Sequence, residues 1–153
     1  MPGLNAIGNL LSAVKTVEEN MVNGTYVRSA VKEHESVIIE RNVEQLYEFG
    51  INSLGIYIDT YAPYTPYTIR LKTEKGQPTD RVTLRDTGAF HRSFIVETGP
   101  EEFYITATDP KTEELVQKYG GRIFGLLEQN KIEISHTYLY PSVMKQVNKI
   151  LFS

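Results

Sequence analysis

The 153-residue sequence has no cysteine, no tryptophan, three histidines and no apolar run of 18 residues. Lack of cysteine excludes disulfides, thiolate nucleophiles and cysteine-ligated metals, and it fits a chain made in cytosol. Lack of a long apolar run excludes a predicted membrane-spanning helix, and the N-terminus has no charged n-region of the signal-peptide kind. An excess of positive charge is also missing. The formal net charge is −3, so the chain has no general attraction for nucleic acid or anionic membrane, and only a local basic patch stays open. Hydrophobic residues at 41% and charged residues at 23% exclude a disordered composition. The length suits a single domain over residues 1–153.

The chain does have tyrosine in quantity: ten, against six phenylalanines. A large ring with a polar end suits surfaces that are wet before assembly and buried after it. The same abundance is expected of a chain with ordinary β structure. Composition alone leaves both readings open.

Periodicity places the elements. Leu4, Ile7, Leu10, Leu11, Val14 and Val17 fall on one helical stripe, whose burial would contribute about 10 kcal/mol before entropy is subtracted. Asn23-Gly24 breaks that helix, and a second is expected from Arg28 to Phe49, with Ile39, Val43, Leu46 and Tyr47 inward and Gly50 as the stop. Alternation of Leu54, Ile56 and Ile58 predicts a strand. Residues 61–80 combine Pro63 and Pro66 with Tyr61, Tyr64 and Tyr67, and predict an extended Tyr/Pro arm or loop. A polar turn follows over Thr73–Asp80.

Phe94 to Ala107 has hairpin form, with a turn at Thr98-Gly99-Pro100-Glu101. Asp109-Pro110 predicts a helix start, Gly120-Gly121 its end, and the segment after Arg122 is ambiguous. Leu139, Val143, Val147 and Ile150 predict a C-terminal helix. The expected class is α+β, a small antiparallel sheet packed on two or three helices that include both terminal ones.

The chemistry-bearing candidates centre on VTLRDTGAFHRSF, Val82 to Phe94. Asp86-Thr87-Gly88 matches the loop of aspartic proteases, but those enzymes need two carboxylates sharing a proton, and this chain carries the motif once. Ala89 to Ser93 also reads as a helical turn, unlike the strand that follows a retroviral protease loop. The structural reading makes Asp86 or Thr87 a cap, Gly88 a tight bend, and Leu84, Phe90 and Phe94 core residues. His34, His91 and His136 lack metal spacing, Ser93 lacks a nucleophile elbow, and the glycine pairs cradle no phosphate. Arg81, Arg85 and Arg92 concentrate positive charge near the motif, most simply as surface solubility. No catalytic residue, metal or cofactor is expected. The rival class is a small accessory enzyme using Asp86, His91 and Arg92, and a third is a monomeric adaptor.

Three stretches, QLYEFGINSLGIYI, YTPYTIRLKTEKGQPTDRVTLRDTGAFHRSF and KYGGRIFGL, together resemble virion proteins of tailed phages that infect Bacteroidetes. The Leu84-x-Asp86-Thr87-Gly88-x-Phe90-x-x-Ser93-Phe94 core is similar to the Leu-x-x-Thr-Gly-x-Leu-x-x-Ser-Ile pattern of the tail-completion and neck (head–tail connector) family. The resemblance covers about Gln45 to Leu126. Where that family has an Arg-Pro-Phe segment, this chain reads Arg122-Ile123-Phe124-Gly125, which leaves a collar ring of the crAss-like kind as an alternative. The resemblance implies a homo-oligomeric ring at the portal–neck–tail junction, flanked by portal, adaptor or other ring proteins. Genomic DNA would pass through it without sequence recognition, and no membrane is involved. Under that reading Tyr61, Tyr64 and Tyr67 are the expected interface residues, and the localisation is the virion.

Overall fold

The computed structural model of the chain describes residues 2–99 and 102–153, with side chains from residue 6 onward. Helices α1 (Pro2–Val22), α2 (Thr25–Glu33) and α3 (Glu35–Glu44) come first, and α3 runs on as a π-helical turn over Gln45–Phe49. A 3-10 turn at Ile58–Thr60, α4 (Pro66–Glu74) and the short α5 (Ala89–Arg92) follow. Strands β1 (Phe94–Thr98) and β2 (Phe103–Ala107) pair as the antiparallel hairpin, and then come α6 (Thr112–Tyr119) and α7 (Glu128–Ile134). A π-helical turn over Ser135–Leu139 leads into α8 (Tyr140–Leu151). The class is α+β with helices at both ends, as expected.

Length suggests one domain, yet the chain divides into two compact units: Met1–His34 with Thr98–Phe103 and Glu133–Ser153, and Glu35–Glu97 with Tyr104–Ile132. No Gly/Pro/Ser-rich linker betrays the division, because the chain crosses it inside the hairpin, inside α7 and at the α2–α3 junction.

The first unit is helical. α1 and α2 pack with α8, and Tyr26, Ala30 and Val143 form a small core edged by Val17, Leu139 and Val147. Asn23 makes the α1–α2 corner by accepting from the Thr25 amide at 3.0 Å and its hydroxyl at 2.6 Å, while Gly24 takes φ 75°. α8 is tied to α2 by Gln146 Nε2 donating to the Tyr26 carbonyl at 3.2 Å and by the Ser142 hydroxyl donating to Glu33. The expected single helix from Arg28 to Phe49 is two, broken at His34 (φ −107°, ψ 19°).

The stripe on α1 departs further from expectation. Of the six residues, Leu4 lies outside the described side chains and Val17 packs on the core. Ile7, Leu10, Leu11 and Val14 are 58%, 51%, 65% and 47% exposed. The expected burial is therefore missing for these four described residues. Helical periodicity gives the face but cannot say what covers it.

The second unit hangs on two buried amide side chains of the α3 helix. Asn42 donates to the Ile123 carbonyl and accepts from the Gly125 amide, both at 2.9 Å. Gln45, in the π turn, donates to the Gly125 carbonyl at 3.0 Å and accepts from the Leu127 amide and Asn130 Nδ2, both at 2.8 Å. These five bonds fix the irregular 123–130 segment, whose backbone would otherwise have buried polar groups without partners. The expected inward set shifts accordingly: Ile38, Asn42, Gln45 and Leu46 are the buried residues, in place of Ile39, Val43 and Tyr47.

Leu54, Ile56 and Ile58 do not form a strand. Asn52 Oδ1 accepts from the Leu54 and Ile56 amides at 2.9 and 3.0 Å, Gly55 turns at φ 77°, and one isolated bridge joins Ile51 to Tyr57. An amide side chain that captures two backbone donors competes with the sheet ladder, and here it wins. Ile58 is buried, and Leu54 and Tyr57 are exposed.

Residues 61–80 are not an extended arm. Thr65 caps α4, its hydroxyl accepting from the Thr68 amide at 3.2 Å, and Pro66 occupies the first turn, where the missing N–H costs nothing. The proline that demotes a strand is here a helix starter. The hairpin agrees with expectation: Phe94, Val96 and Ile105 are buried, and the Gly99 amide donates to the Glu102 carbonyl at 2.6 Å. Pro100 and Glu101 of the expected turn lie outside the described residues. The ambiguous stretch after Arg122 resolves into a 3-10 turn at Gly121–Ile123 and α7.

Replacing Asn42 by Leu leaves the Gly125 N–H and the Ile123 C=O buried without partners, so stability should fall by about 3 kcal/mol. The exposed control Glu48→Ala should stay within about 0.5 kcal/mol of wild type. Chemical denaturation measures both, and a loss under about 1 kcal/mol for Asn42→Leu would contradict the latch.

Candidate functional site

The Val82–Phe94 segment lies wholly in the second unit, between α4 and β1. Val82 and Thr83 are buried, and the Thr83 amide donates to the Tyr64 hydroxyl at 3.0 Å. Leu84 is the single non-glycine residue at positive φ (55°) among the described residues, a conformation that costs a side-chain-bearing residue on the order of 1 kcal/mol. Flanking bonds hold it there. The Arg85 amide donates to Thr83 Oγ1 at 3.3 Å, and the Arg85 carbonyl accepts from Lys72 Nζ at 2.8 Å.

Gly88 takes φ 89° at the start of α5, as the expected bend requires. The N-cap is Gly88, which has no side chain to cap with; the Thr87 hydroxyl, one residue before it, accepts from the Ala89 amide at 3.3 Å. Asp86 does not cap; its carboxylate pairs with Lys75 at 2.7 Å. Phe90 and Phe94 are buried and meet edge to face at 5.1 Å, with Phe124 at 5.2 Å from Phe94. Leu84, expected in the core, is only half-buried and faces an open cleft.

That cleft has a volume of about 170 Å³. α4 contributes Lys72, the motif loop contributes Leu84 to Phe90, and the third wall is Asp109, Lys111, Leu115 and Tyr119 of α6 and its approach. Asp86 therefore stands on an open rim. The hydrogen bond from Lys75 lowers its pKa, with the Lys75, Lys111 and Lys72 charges adding to the effect. A protease dyad requires the reverse, one carboxylate raised by its twin. Asp109, the other carboxylate of the cleft, accepts from the Lys111 amide at 2.8 Å. Among the described residues no group of three metal-ligating side chains occurs.

His91 is 8% exposed and faces inward, 5.8 Å from the Phe94 ring. Burial lowers its pKa from 6.5 to about 4, the Arg85 charge lowers it too, and a backbone hydrogen bond with Thr83 opposes both. Its Nε2 has no partner. Arg92 donates to the Thr87 carbonyl at 3.3 Å. Asp86, His91 and Arg92 thus share one loop without converging on one solvent-facing point. Arg81 and Arg85 both lie over the Tyr47 ring, at 5.9 and 4.9 Å, and Arg81 Nε donates to the Tyr47 carbonyl at 2.7 Å, so they brace the fold rather than form a free basic patch.

The three tyrosines separate. Tyr64 is half-buried, bonded to Thr83 and lying under Lys72 Nζ at 5.0 Å, which makes it a wall of the cleft. Tyr61 and Tyr67 are exposed. Sequence reasoning missed Lys72 and the Asn42/Gln45 pair; a lysine or amide on a helix gives no signal of burial before its partners are known. No protein-family model, curated protein or solved structure matches this chain.

The sign for His91 follows from its lowered folded pKa. The unfolded chain binds the proton more readily, so the neutral ring's contribution is complete above pH 6.5 and fades as pH falls toward 4. At pH 5 the loss is about 2 kcal/mol. Asp86 and Glu33 have lowered values, so their contributions are lost below the ordinary 3.8 and 4.5 and leave the window from pH 6.5 to 5 to His91. Urea midpoints across that window should fall for wild type and stay flat for His91→Gln. Parallel slopes for the two would contradict the assignment.

Proposed function

We propose that this chain is a structural subunit of a ring at the portal–neck–tail junction of a tailed bacteriophage, joining head to tail around the DNA channel. The observation that carries the assembly part is the uncovered apolar face of α1. Ile7, Leu10 and Val14 stand in the 3-4 alternation of a helix-pairing seam, with Leu11 beside it, and the same row runs on to Val17, where it turns to the core of its own unit. Lys15 is the first charged residue in the chain, so nothing on Ile7–Val14 repels the same stretch or an apolar neighbour. Four adjacent large apolar side chains of this kind mark an interaction surface. In a ring each copy offers one face to a different face of the next.

The phage setting rests on the resemblance of the Leu84–Phe94 core and its neighbours to the neck and tail-completion family. Exposed Tyr61 and Tyr67 suit secondary contacts with a neighbouring copy or ring. Tyr64 leaves the proposed interface, since its hydroxyl is committed to Thr83. No helix of the described residues is long and apolar enough to cross a membrane. The rival enzyme reading loses its proposed trio: His91 is buried, Asp86 is neutralised by Lys75, and Arg92 is turned to its own loop.

Sedimentation velocity on the full chain checks the assembly claim. At high micromolar concentration the wild type should sediment as an oligomer. Leu10→Glu and Leu11→Glu should each weaken association by at least about tenfold with helical circular dichroism unchanged. A wild-type chain that stays monomeric, or charged variants that associate equally well, would contradict it.

A further inference from the structure

The cleft beside the motif loop has a composition that scaffolding alone does not call for. Lys72 is 9% exposed, and its ammonium is held by neutral groups: the Arg85 carbonyl at 2.8 Å, Gln77 Oε1 at 3.4 Å and the Tyr64 ring at 5.0 Å. A buried cation is costly unless an anion answers it, and this one has no carboxylate in ion-pair contact; Asp86, held by Lys75, acts on it only at longer range. Lys111, on the opposite wall, is exposed, and its charge acts on Asp86 through space. The carboxylates of the cleft are otherwise engaged, Asp86 by Lys75 and Asp109 by the Lys111 backbone amide. In a chain of net charge −3, this cleft carries three cations, Lys72, Arg85 and Lys111, against two carboxylates, one of them already paired from outside.

Between the charged walls lie Val82, Leu84, Phe90, Leu115 and Tyr119. Apolar lining with a few convergent polar groups is the usual form of a small-ligand site. The space of about 170 Å³ matches one six-membered ring and its substituent, since a cavity of about 150 Å³ takes up benzene. The strained Leu84 fits the same picture: its φ of 55° turns the loop so that the Arg85 carbonyl holds Lys72 at the cleft instead of letting it reach solvent.

We propose that this cleft binds a small organic anion, a phosphate or carboxylate carried on a body the size of one ring. The anionic head pairs with Lys72 and Lys111, and the ring lies against Leu84, Phe90 and Leu115. The site is independent of the assembly reading, because every residue in it belongs to the second unit and none lies on α1.

The test is NMR titration of the full chain with phenyl phosphate, benzoate, inorganic phosphate and benzyl alcohol. Phenyl phosphate or benzoate should give saturable shifts at the amides of residues 84–90 and 115, and the better of the two identifies the head group. Inorganic phosphate lacks the body and benzyl alcohol lacks the charge, so each should bind at least about tenfold more weakly. Lys111→Gln should weaken the anion by about tenfold, the value of one charge-assisted hydrogen bond. Leu115→Trp should fill the cleft and abolish the shifts while leaving the rest of the spectrum in place. No saturable shift, shifts elsewhere, equal response to all four probes, or an unaffected Lys111→Gln would each overturn the proposal.

Discussion

Two amide side chains one helical turn apart on α3 and its π turn carry the heaviest constraint in the second unit. Asn42 and Gln45 each present both a donor and an acceptor, and they hold the irregular stretch 124–127 between the 3-10 turn and α7, where no helix or strand satisfies the Gly125 amide and carbonyl or the Leu127 amide. The π turn at Gln45–Phe49 widens the helix where Gln45 must reach three partners, and Gly50 (φ 62°) then ends it against Arg81. With the 123–130 segment fixed, Phe124 reaches Phe90 and Phe94, and the aromatic group seats the motif loop. Removal of either amide costs more than its own bonds, because buried donors and acceptors are left without water.

The proposed assembly face and the proposed ligand cleft belong to different units. The first unit buries a modest core and leaves Ile7, Leu10, Leu11 and Val14 of the α1 stripe bare, the face proposed above as the contact with a neighbouring copy. The second unit spends its polar groups on internal order, yet keeps one lysine buried among neutral partners and one turned outward across a cleft. The Asp-Thr-Gly bend serves both ends of that unit. Gly88 and Thr87 launch α5 toward the core, while Asp86 is neutralised by Lys75 and helps to anchor the rim.

Much of this was legible in the sequence where local chemistry decides conformation. The helical periods of α1 and α8, the hairpin after Phe94 and the bend at Gly88 all follow from residue pattern and turn chemistry. Failures came where a side chain overrode its neighbours' preference. Asn52 captured two amides and cancelled the strand that Leu54, Ile56 and Ile58 suggest. Thr65 with Pro66 began a helix inside the stretch expected to be an arm. The buried polar set on α3 displaced the apolar one, since periodicity ranks Val43 above Asn42 when the partner segment lies 80 residues away. The cleft was invisible for the same reason: Lys72 and Lys111 meet across it only after the chain has folded.

The proposed ring would cover the bare face of α1 with another copy at the junction of head and tail. Cryo-electron microscopy of the phage particle that carries this chain tests it most directly. The account predicts a closed ring of copies at the head–tail junction, with Ile7, Leu10, Leu11 and Val14 buried between neighbours. A particle without the chain at that junction, or a ring in which those four side chains still face solvent, would contradict it.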